Sequence, residues 1–307
     1  MTKSFFVVNP AAANGRVKAD WENVLRAIKS SYSASVDFEF TPSAGTGSSL
    51  SRRALKEGYD VVVSVGGDGT LNEVVNGFFE GGKPINPDAS LGVLSLGTGS
   101  DFVKTLGIER SLSSYLATLK KGKTKMVDSV RSVVAGPRGS KETRYFINVA
   151  ECGSGGAVVD KVNRTTKAFG GRISFLWGIL TTLPTYKNHT VTFSVDSGPE
   201  VTSVLNDFVV ANGRFFGGGL KPAPQAELDD GILDVVTIGD LRFREVVFNL
   251  RKLTEGTHLS NPKVTLTKGR RVAVRSEERT LVEEDGEIVG FLPAQFEIVP
   301  KSVSLIC

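Results

Sequence analysis

The sequence predicts two domains of different classes, a doubly wound α/β domain at residues 1–127 and an antiparallel β-sandwich at residues 128–292. The chain has 307 residues, more than the roughly 100–200 that one domain usually holds. Its first part alternates short β-rich runs with helical patterns, which is typical of βαβ units around a parallel sheet. Its second part is a succession of β-rich runs between Gly, Pro and Asp turns, which favours a sandwich. Residues 293–307 are candidates to return to the first domain.

In the first domain, predicted strands and helices alternate. In chain order they are strand Phe5–Val8, helix Lys18–Lys29, strand Val36–Phe40, helix Ser48–Lys56, strand Val61–Val65, helix Leu71–Phe79 and strand Leu91–Leu94. The third strand opens with consecutive valines and has no polar alternation, as expected for a strand covered by helices on both faces. This pattern predicts a parallel sheet in the doubly wound arrangement.

In the second domain, strands dominate and helices interrupt them. The predicted strands are Ser129–Val134, Tyr145–Ala150, Val191–Val195, Phe208–Ala211, Leu233–Ile238, Val264–Thr267 and Val272–Val274. The predicted helices are Gly156–Asn163, Ile173–Thr182 and Phe243–Leu253. Short strands with frequent turn residues between them are typical of antiparallel sheets.

Composition and charge narrow the functional classes. The net charge of +4 and the pI of about 9.0 suit an anionic membrane surface or a polyphosphate and do not require nucleic acid. Cys152 and Cys307 are the only cysteines, which predicts no disulfide framework and favours a reducing, cytoplasmic location. The apolar runs Ser4–Val8 and Ile173–Leu183 are too short for a signal-peptide core and a transmembrane helix, respectively. We therefore expect neither a nucleic-acid partner nor a transmembrane segment.

A glycine turn, Gly66-Gly67-Asp68-Gly69-Thr70, joins the third strand to the next helix. Open α/β sheets bind ligands at the carboxyl ends of their strands, where this turn lies. Glycines let phosphate oxygens approach the backbone closely, and N–H groups at the start of a helix favour negative charge. Asp68 adds a carboxylate suited to Mg²⁺. Taken alone, the pattern also fits a strand–turn–helix whose glycines serve only the turn.

A second glycine turn, Leu96–Phe102, also follows a β-rich run and precedes a helix. Two such turns can face one nucleotide, and the Thr98 hydroxyl can then hydrogen-bond a phosphate. By itself the turn is better explained as a helix start with Ser100 or Asp101 as the N-cap. Thr41, just past the second strand, lies at the same edge of the predicted sheet and is a further candidate nucleotide contact.

Together with motifs elsewhere in the chain, these turns resemble the diacylglycerol kinase catalytic family, which also includes sphingosine and ceramide kinases. The motifs are Asn9-Pro10 with Asn14-Gly15, Gly66–Thr70 with Asn72-Glu73, Gly97–Phe102, Asn212–Gly219 with Asp229–Gly231, and Asp285–Glu287. They cover nearly the full length, and motifs in a fixed order are far more specific than one glycine turn. The resemblance implies an N-terminal nucleotide-binding domain and an ATP-dependent lipid kinase that uses Mg²⁺.

For the phosphate donor, the resemblance implies that Gly66–Thr70 holds the ATP phosphates and that Asp68 helps to place Mg²⁺. The expected nucleotide-binding residues are Asn9, Thr41, Gly66, Gly67, Asp68, Gly69, Thr70, Asn72 and Thr98. One departure is Ser100, where the family usually has Asn, whose amide group both donates and accepts hydrogen bonds. This difference bears on nucleotide affinity or loop geometry and not on the fold.

For the acceptor, the resemblance implies that Glu287 is the general base that takes the proton of the lipid hydroxyl, with Asp285 as its helper. A carboxylate fits this role because phosphoryl transfer requires positioning, charge neutralisation and one proton acceptor. From the residues alone, Asp285-Gly286-Glu287 also fits a hairpin turn that carries solvated acids.

The segment Glu227–Ile232 resembles the family's structural magnesium loop. The resemblance implies that Asp230 supplies a carboxylate and that Glu227 and Ile232 supply mainly backbone oxygens. Asp128 matches a family aspartate linked to this ion. From the residues alone, an ordinary Asp-Gly turn explains the segment equally well.

The residues that bind the lipid are harder to predict, because apolar and basic residues are mixed between residues 161 and 187. The apolar residues are Phe169, Ile173, Phe175, Leu176, Trp177, Ile179, Leu180 and Leu183, and the basic residues are Lys161, Arg164, Lys167, Arg172 and Lys187. The pattern indicates either an interfacial surface that admits the lipid or a core helix with a solvated basic flank. We expect a lipid substrate at the membrane surface, transient contact with the inner face of the membrane, and leave a homodimer open.

Two alternative functions remain open on sequence alone. NAD kinases and phosphofructokinases share a related Gly-Gly-Asp-Gly turn, so the first alternative is a kinase of a soluble substrate, although neither resembles Asn212–Gly219. The second is a catalytically weak regulator that binds lipid or nucleotide, and Ser100 is its only support. The sequence does not name the lipid.

Overall fold

The computed structural model describes residues 2–136, 139–164 and 171–307, except for the side chains of residues 171 and 172. The chain divides into two compact units, Met1–Asp128 with Pro300–Cys307 and Ser129–Val299. The first is an α/β unit with a parallel sheet, and the second consists mainly of antiparallel strands. The predicted fold class is therefore confirmed.

The first unit contains strands β1 to β6 and helices α1 to α5. The strands are β1 (Lys3–Val8), β2 (Ser35–Phe40), β3 (Val61–Gly66), β4 (Phe79–Glu80), β5 (Lys83–Pro84) and β6 (Ser90–Ser95). The helices are α1 (Arg16–Ser31), α2 (Gly47–Lys56), α3 (Asp68–Gly77), α4 (Asp101–Thr105) and α5 (Leu112–Lys121). The parallel strands lie in the order β2-β1-β3-β6, and the C-terminal residues Ser304 and Leu305 pair with β6. The short strands β4 and β5 form a separate antiparallel pair.

Burial explains why these runs adopt their structure. Every residue of β3 is buried, which accounts for a strand without polar alternation. The buried stripe of α1 is Val17, Trp21, Val24 and Ile28. This helical spacing gives α1 one apolar face. The sequence pattern did not indicate α5, which begins where the Ser111 hydroxyl accepts a hydrogen bond from the backbone N–H of Ser114 at 3.1 Å.

The second unit contains the remaining strands and helices. The strands are β7 (Thr124–Ala135), β8 (Lys141–Phe146), β9 (Val149–Gly153), β10 (His189–Val195), β11 (Val201–Ala211), β12 (Leu233–Gly239), β13 (Val264–Gly269), β14 (Arg271–Ser276), β15 (Leu281–Glu284) and β16 (Glu287–Ile306). The helices are α6 (Ser154–Arg164), α7 (Gly171–Thr182) and α8 (Phe243–Glu255). β7 begins, and β16 ends, within the residues of the first unit.

Antiparallel pairing holds the second unit together. One set of strands follows the order β13-β12-β11-β10-β14-β16, while β9 pairs with both β11 and β15. Buried apolar residues of these strands form its main core, in which the rings of Phe146 and Phe296 meet edge to face at 6.2 Å. Cys152 lies in this core, and neither it nor Cys307 forms a disulfide.

One predicted strand, Tyr145–Ala150, is divided in the structure. β8 ends at Phe146 and β9 starts at Val149. Between them, the backbone oxygen of Asn148 accepts hydrogen bonds from the N–H groups of Asn212 and Gly213, both at 2.8 Å. The chain leaves the regular ladder here because Asn148 pairs with a loop instead of a neighbouring strand. Among the described helices, none has the length and apolar character needed to cross a bilayer.

Candidate active site

The carboxyl ends of β1 and β3 bring Asn9, Gly66 and Thr70 together. The backbone N–H of Asn9 donates to the Val65 oxygen at 2.9 Å, and its side-chain amide donates to the Thr70 hydroxyl at 2.9 Å. A Cβ atom at Gly66 would lie 2.3 Å from the Thr70 hydroxyl oxygen. Glycine at position 66 is therefore required for this close approach.

The two predicted glycine turns contact each other. The backbone N–H of Gly97 donates to the Gly66 oxygen at 2.8 Å, and a Cβ atom at Gly97 would lie only 2.4 Å from the Cα of Gly67. The helix α3 starts directly after Gly67, which is the N-cap residue and has no side chain that could cap the helix. Backbone N–H groups at the start of such a helix can bind an anion.

Asp68 connects these turns to the start of α4. Its Oδ1 accepts hydrogen bonds from the backbone N–H groups of Asp101 at 3.0 Å and Phe102 at 3.2 Å. The sequence-based alternative placed the cap of this helix on Ser100 or Asp101, but Asp68 supplies it from another segment. A negative charge at a helix start is favourable, so Asp68 stabilises the second turn.

Ser100 has an unusual backbone conformation. Its φ and ψ are 56° and 43°, in the left-handed region, and its side chain is fully buried. The hydroxyl lies 3.3 Å from the backbone oxygen of Ser95 and 3.4 Å from that of Gly97. One hydroxyl hydrogen cannot serve both acceptors at once, and both distances are long. The residue that departs from the family pattern is therefore held in a strained position.

The other expected nucleotide-binding residues occupy varied positions. Thr41 is buried after β2, where its N–H donates to the Val8 oxygen at 2.8 Å, whereas Thr98 is exposed. Asn72 is fully buried, and its side-chain oxygen accepts a hydrogen bond from Asn76 at 3.2 Å. Thr41 thus lies at the expected edge of the sheet, while Asn72 lies within the packing of α3.

Glu73, the neighbour of Asn72 in the motif, has a bracing role that the sequence did not suggest. Its two carboxylate oxygens accept hydrogen bonds from the N–H groups of Gly45 and Gly47, both at 2.7 Å. Because Gly47 begins α2, Glu73 ties the start of α2 to α3. Because Glu73 lies in the middle of α3, no sequence signal marks it as a partner of the start of α2, and the contact is visible only in three dimensions.

In the second unit, Asp285 and Gly286 form the turn between β15 and β16. Their φ angles are 50° and 90°, as in the tight hairpin turns that Asp-Gly favours. The backbone N–H of Asp285 donates to the Val149 oxygen at 3.0 Å, and its Oδ1 accepts from the Val149 N–H at 3.0 Å. The hairpin alternative is right about the turn but wrong about a solvated Asp285, which is buried. Glu287 starts β16 and is exposed.

A group of buried carboxyls lies beside this turn and was not predicted from the sequence. Glu151, Asp207, Glu283 and Glu284 are all buried. Burial raises the pKa of Glu284 to about 7 and that of Glu283 to about 8. A glutamate inside the apolar run that contains Cys152 was the available signal, because charged residues are rarely buried without a reason.

The loop expected to bind a structural ion contains an aspartate turn. The Oδ1 of Asp230 accepts a hydrogen bond from the Ile232 N–H at 3.0 Å, and Glu227 is exposed. Nearby, Asp234 is fully buried, and neither of its carboxylate oxygens has a hydrogen-bond partner among the described residues. Lys268 forms an ion pair with it at 3.4 Å, but burial still raises the pKa of Asp234.

The donor set for an ion in this loop would have to include backbone oxygens. Within the described ranges, no three His, Cys, Asp or Glu side chains are grouped so as to hold a metal. The predicted set at Glu227, Asp230 and Ile232, which relies on one carboxylate, stays a prediction. Asp128, the expected associate, belongs to the first unit and accepts a hydrogen bond from the Lys301 N–H at 2.7 Å.

The motif Asn212–Gly219 supports α7. A Cβ atom at Gly213 would lie 2.0 Å from the side-chain oxygen of Asn148, and one at Gly217 would lie 2.7 Å from the Phe175 ring. Phe216 packs edge to face on Phe175 with ring centroids 5.8 Å apart. The glycines of this motif therefore permit close packing between the loop and α7.

The helix α7 has one buried and one exposed apolar side. Phe175, Ile179 and Leu183 are buried, whereas Ile173 and Leu180 are 62% and 53% exposed. Trp177 is 43% exposed and shares the exposed side. The buried side agrees with the core-helix alternative, and the exposed apolar side is the part that would form an interfacial surface. Phe169 and Lys167, together with the side chain of Arg172, lie outside the described residues.

Family models match both parts of the chain. Residues 3–132 match the diacylglycerol kinase catalytic domain. Residues 148–307, more than half of the chain, match the YegS C-terminal NAD kinase beta sandwich-like domain.

Curated relatives and solved structures resemble the chain over most of their length. A diacylglycerol kinase of Staphylococcus carnosus (strain TM300) is 31% identical over 83% of this chain and 79% of its own. A diacylglycerol kinase of Bacillus subtilis (strain 168) is 28% identical over 100% of this chain and 96% of its own. A structure described as a diacylglycerol kinase of Bacillus anthracis str. Sterne has a TM-score of 0.70 at 18% identity, covering 99% of this chain and 96% of its own, which supports the fold.

The matched models, the relatives and the order of the motifs agree. The chain therefore belongs to the diacylglycerol kinase family of lipid kinases.

Proposed function

We propose that this protein is an ATP-dependent lipid kinase that transfers the γ-phosphate of ATP to a hydroxyl of diacylglycerol or a similar lipid. Residues 1–127 bind the nucleotide and residues 128–292 bind the lipid. The turn Gly66–Thr70 holds the ATP phosphates, and Glu287 is the general base with Asp285 as its helper. The observation that carries the proposal is the direct contact of Gly67 with Gly97, which joins the two glycine turns in a member of this family.

The donor side is supported by the chemistry of the turn. Gly67 and Gly69 expose backbone N–H groups at the start of α3, and the Thr70 hydroxyl is fixed by Asn9 at 2.9 Å. Such donors suit phosphate oxygens, and Thr41 and Thr98 add hydroxyl groups at the same end of the sheet. The chain thus supplies the positioning that phosphoryl transfer requires.

Magnesium fits the residues in two places. Asp68 accepts backbone hydrogen bonds, and a carboxylate has about four acceptor positions, so it can also hold an ion directly or through water. Near the loop with Glu227, Asp230 and Ile232, the carboxylate of Asp234 is buried and already pairs with Lys268 at 3.4 Å, so the ion at this loop would rely on Asp230 and backbone oxygens. An ion held by Asp68 would supply neutralisation of phosphate charge, and one held by the loop would brace the second unit.

On the acceptor side, Glu287 is exposed and the next residue, Ile288, joins an apolar cluster. This cluster is built from α6, α7 and α8 and includes Val158, Phe175 and Ile179. A carboxylate that borders an apolar cluster suits a substrate with a hydroxyl head group and acyl chains. We propose that the chains pack near α7 while Glu287 accepts the hydroxyl proton.

The exposed side of α7 is the proposed membrane contact. Ile173, Trp177 and Leu180 follow one another at helical spacing, and Phe248 of α8 is 81% exposed. Exposed aromatic and aliphatic side chains, together with the exposed basic residues Lys161 and Arg164 of α6, suit an anionic lipid surface. Sedimentation with vesicles containing anionic lipid tests this contact, and Trp177→Ser with Ile173→Ser should reduce it. Sedimentation velocity of the protein without vesicles reports whether it is a homodimer.

A lipid panel with labelled Mg-ATP tests the activity. Diacylglycerol, monoacylglycerol, sphingosine and ceramide are compared for the wild type, Asp68→Ala and Glu287→Ala. The wild type should phosphorylate at least one lipid, and Glu287→Ala should lower kcat by about 10²–10⁴-fold, the usual contribution of a general base. Because Glu287 is exposed, the Glu287→Ala variant should have the same unfolding midpoint as the wild type.

Glu277→Ala, another exposed glutamate, is the matched control and should retain wild-type kcat. A wild-type protein that labels none of these lipids would refute the lipid kinase. An unchanged kcat in Glu287→Ala would remove the proposed base alone. Activity on a water-soluble acceptor without vesicles or detergent would instead support the kinase of a soluble substrate.

A further inference from the structure

Three carboxylic side chains are buried together in the second unit. Glu151, Asp207 and Glu283 are only 1%, 5% and 2% exposed. β9 pairs with β15 so that Glu151 lies opposite Glu283, and it pairs with β11 so that Gly153 lies opposite Asp207. Burial is the main reason that the pKa of each carboxyl is raised, to about 6 for Asp207 and about 8 for Glu283. At neutral pH the group therefore retains protons.

Asp207 and Glu151 differ in the hydrogen bonds that they receive from the start of α6. Asp207 Oδ2 accepts hydrogen bonds from the Gly155 N–H at 2.9 Å and the Ser154 hydroxyl at 3.3 Å. In contrast, Glu151 Oε2 is buried without a hydrogen-bond partner among the described residues, in space that a Cβ atom at Gly155 would occupy at 2.4 Å. The donors stabilise a negative charge on Asp207, while Glu151 remains protonated.

Glu283 links the buried group to the hairpin turn. Its Oε2 accepts a hydrogen bond from the Gly286 N–H at 2.8 Å. On the other side of the turn, Asp285 and Val149 exchange two hydrogen bonds, both 3.0 Å long. Glu287 follows directly, so the position of its backbone depends on contacts made by Glu283 and Asp285.

Burial makes the ionisation of Glu283 costly. Hydrogen bonds from Glu151 of β9 and from the Gly286 N–H lower its pKa, whereas repulsion from Asp285 and Asp207 raises it. Cys152 is buried nearby, and burial raises the pKa of its thiol. A carboxyl oxygen accepts a hydrogen bond in both protonation states, so Glu283 can hold the Gly286 N–H whether or not it carries a proton.

We infer that Glu283 is a positioning residue that accepts the Gly286 N–H, holds the turn Asp285–Gly286 and thereby presents Glu287. The inference rests on the proposed role of Glu287 as the base. It adds that the base is held in place by a buried carboxyl beneath the turn.

A pair of variants separates hydrogen bonding from ionisation. Glu283→Gln keeps an oxygen that accepts from Gly286 but cannot ionise, whereas Glu283→Leu has a similar volume and no acceptor. Glu283→Gln should therefore keep a kcat close to that of the wild type. Glu283→Leu should lose about tenfold or more in kcat at every pH, with an unchanged KM for ATP.

Glu284→Gln is the matched control, because Glu284 is also buried and its pKa is raised to about 7, but it pairs with Arg144 at 3.7 Å. This control should keep a wild-type kcat. If Glu283→Leu keeps a wild-type kcat, or Glu284→Gln lowers kcat as much as Glu283→Leu does, the inference is overturned.

Hydrogen exchange gives a readout that does not depend on activity. The amide of Gly286 should exchange faster in Glu283→Leu than in the wild type or Glu283→Gln. Equal exchange in the wild type and Glu283→Leu would overturn the positioning role, even if Glu287 proves to be the base. Faster exchange together with a fully active Glu287→Ala would keep the turn contact and overturn its link to the base.

Discussion

Carboxylates brace loops in both units by accepting hydrogen bonds from backbone N–H groups, but their surroundings differ. In the first unit, Asp68 and Glu73 accept from N–H groups at the starts of α4 and α2. In the second unit, Glu283 accepts from the Gly286 N–H while it faces the buried carboxyl of Glu151. Helix starts are fixed donors, whereas facing buried carboxyls share protons. The motifs are therefore braced by carboxylates at helix starts in one unit and by carboxyls that share protons in the other.

The strongest test of the first unit's bracing is Gly97→Ala. The added Cβ would lie 2.4 Å from the Gly67 Cα, a backbone atom that cannot move aside without shifting the turn. We expect a loss of about 3 kcal/mol in unfolding free energy, at the upper end for overpacking. Nucleotide-dependent activity should fall by about 100-fold or more, because misplaced groups lose much of their effect. Thermal unfolding and steady-state kinetics measure the two effects.

Gly67→Ala is the control for this contact. Its Cβ would meet only the Gly97 Cα, at an ordinary 3.6 Å, so the unfolding midpoint should stay near that of the wild type. Its KM for ATP should rise, because the methyl group occupies space next to the proposed phosphate site. Equal destabilisation by both variants would show that contact between the turns does not stabilise the unit.

The second unit should lose stability as the pH rises. Its folded state keeps protons on Asp207, Glu284 and Glu283 up to a pH of about 6, 7 and 8, whereas the unfolded chain releases them near 4 to 4.5. The folded state thus binds more protons than the unfolded chain over this interval. The free energy of unfolding is therefore highest at low pH and falls as the pH rises through these pKa values. At about 1.4 kcal/mol per unit of pKa displacement, we expect a loss of about 3 kcal/mol or more between pH 5.5 and 8.5.

Thermal unfolding across this pH range measures the effect, and the midpoint should fall by about 6–10 °C. The combined variant Glu151→Gln, Glu283→Gln and Glu284→Gln should flatten the dependence, since amides do not titrate. A wild-type midpoint that rises between pH 5.5 and 8.5 would contradict the shared-proton description of this unit.

Sequence predicted the fold because its signals are local. The valine run of β3 and the helical spacing in α1 needed no knowledge of distant residues, and the motif order specified the family. Contacts between distant segments were not predictable in this way. Asp68 looks like a metal ligand in the turn but also caps α4, and Glu283 looks like a hairpin residue until Glu151 is placed opposite it. Sequence indicates which carboxylates matter, and pairing of strands decides what each one does.

Replacing Asp68 separates its bracing role from its proposed metal role. Asp68→Ala removes the acceptor for the N–H groups of Asp101 and Phe102, so we expect a loss of about 1–2 kcal/mol in stability. Asp68→Asn keeps one oxygen acceptor and should recover most of this stability. If Asp68 also places Mg²⁺, Asp68→Asn should still require a higher Mg²⁺ concentration for half-maximal activity. Equal Mg²⁺ dependence in Asp68→Asn and the wild type would leave Asp68 as a brace only.

The smallest expected effect concerns Ser100, where strain in the first unit can be removed without altering its charges. Serine at φ 56° costs about 1 kcal/mol, and Asn tolerates this conformation better. An Asn amide also has two N–H donors, so it can serve the oxygens of Ser95 and Gly97 together, which one hydroxyl cannot. Ser100→Asn should therefore raise the unfolding midpoint by about 2–4 °C and lower the KM for ATP.

Ser100→Gly relieves the same strain without adding atoms, and it separates conformational strain from hydrogen bonding. If strain is the main cost, both variants should raise the midpoint, and Asn should exceed Gly by the value of its additional hydrogen bond, about 0.5–1.5 kcal/mol. A gain with Gly and a loss with Asn would mean that the buried turn has no room for the longer side chain. In that case Ser100 is retained because the turn is packed around a small residue, and the strain is the consequence of that packing.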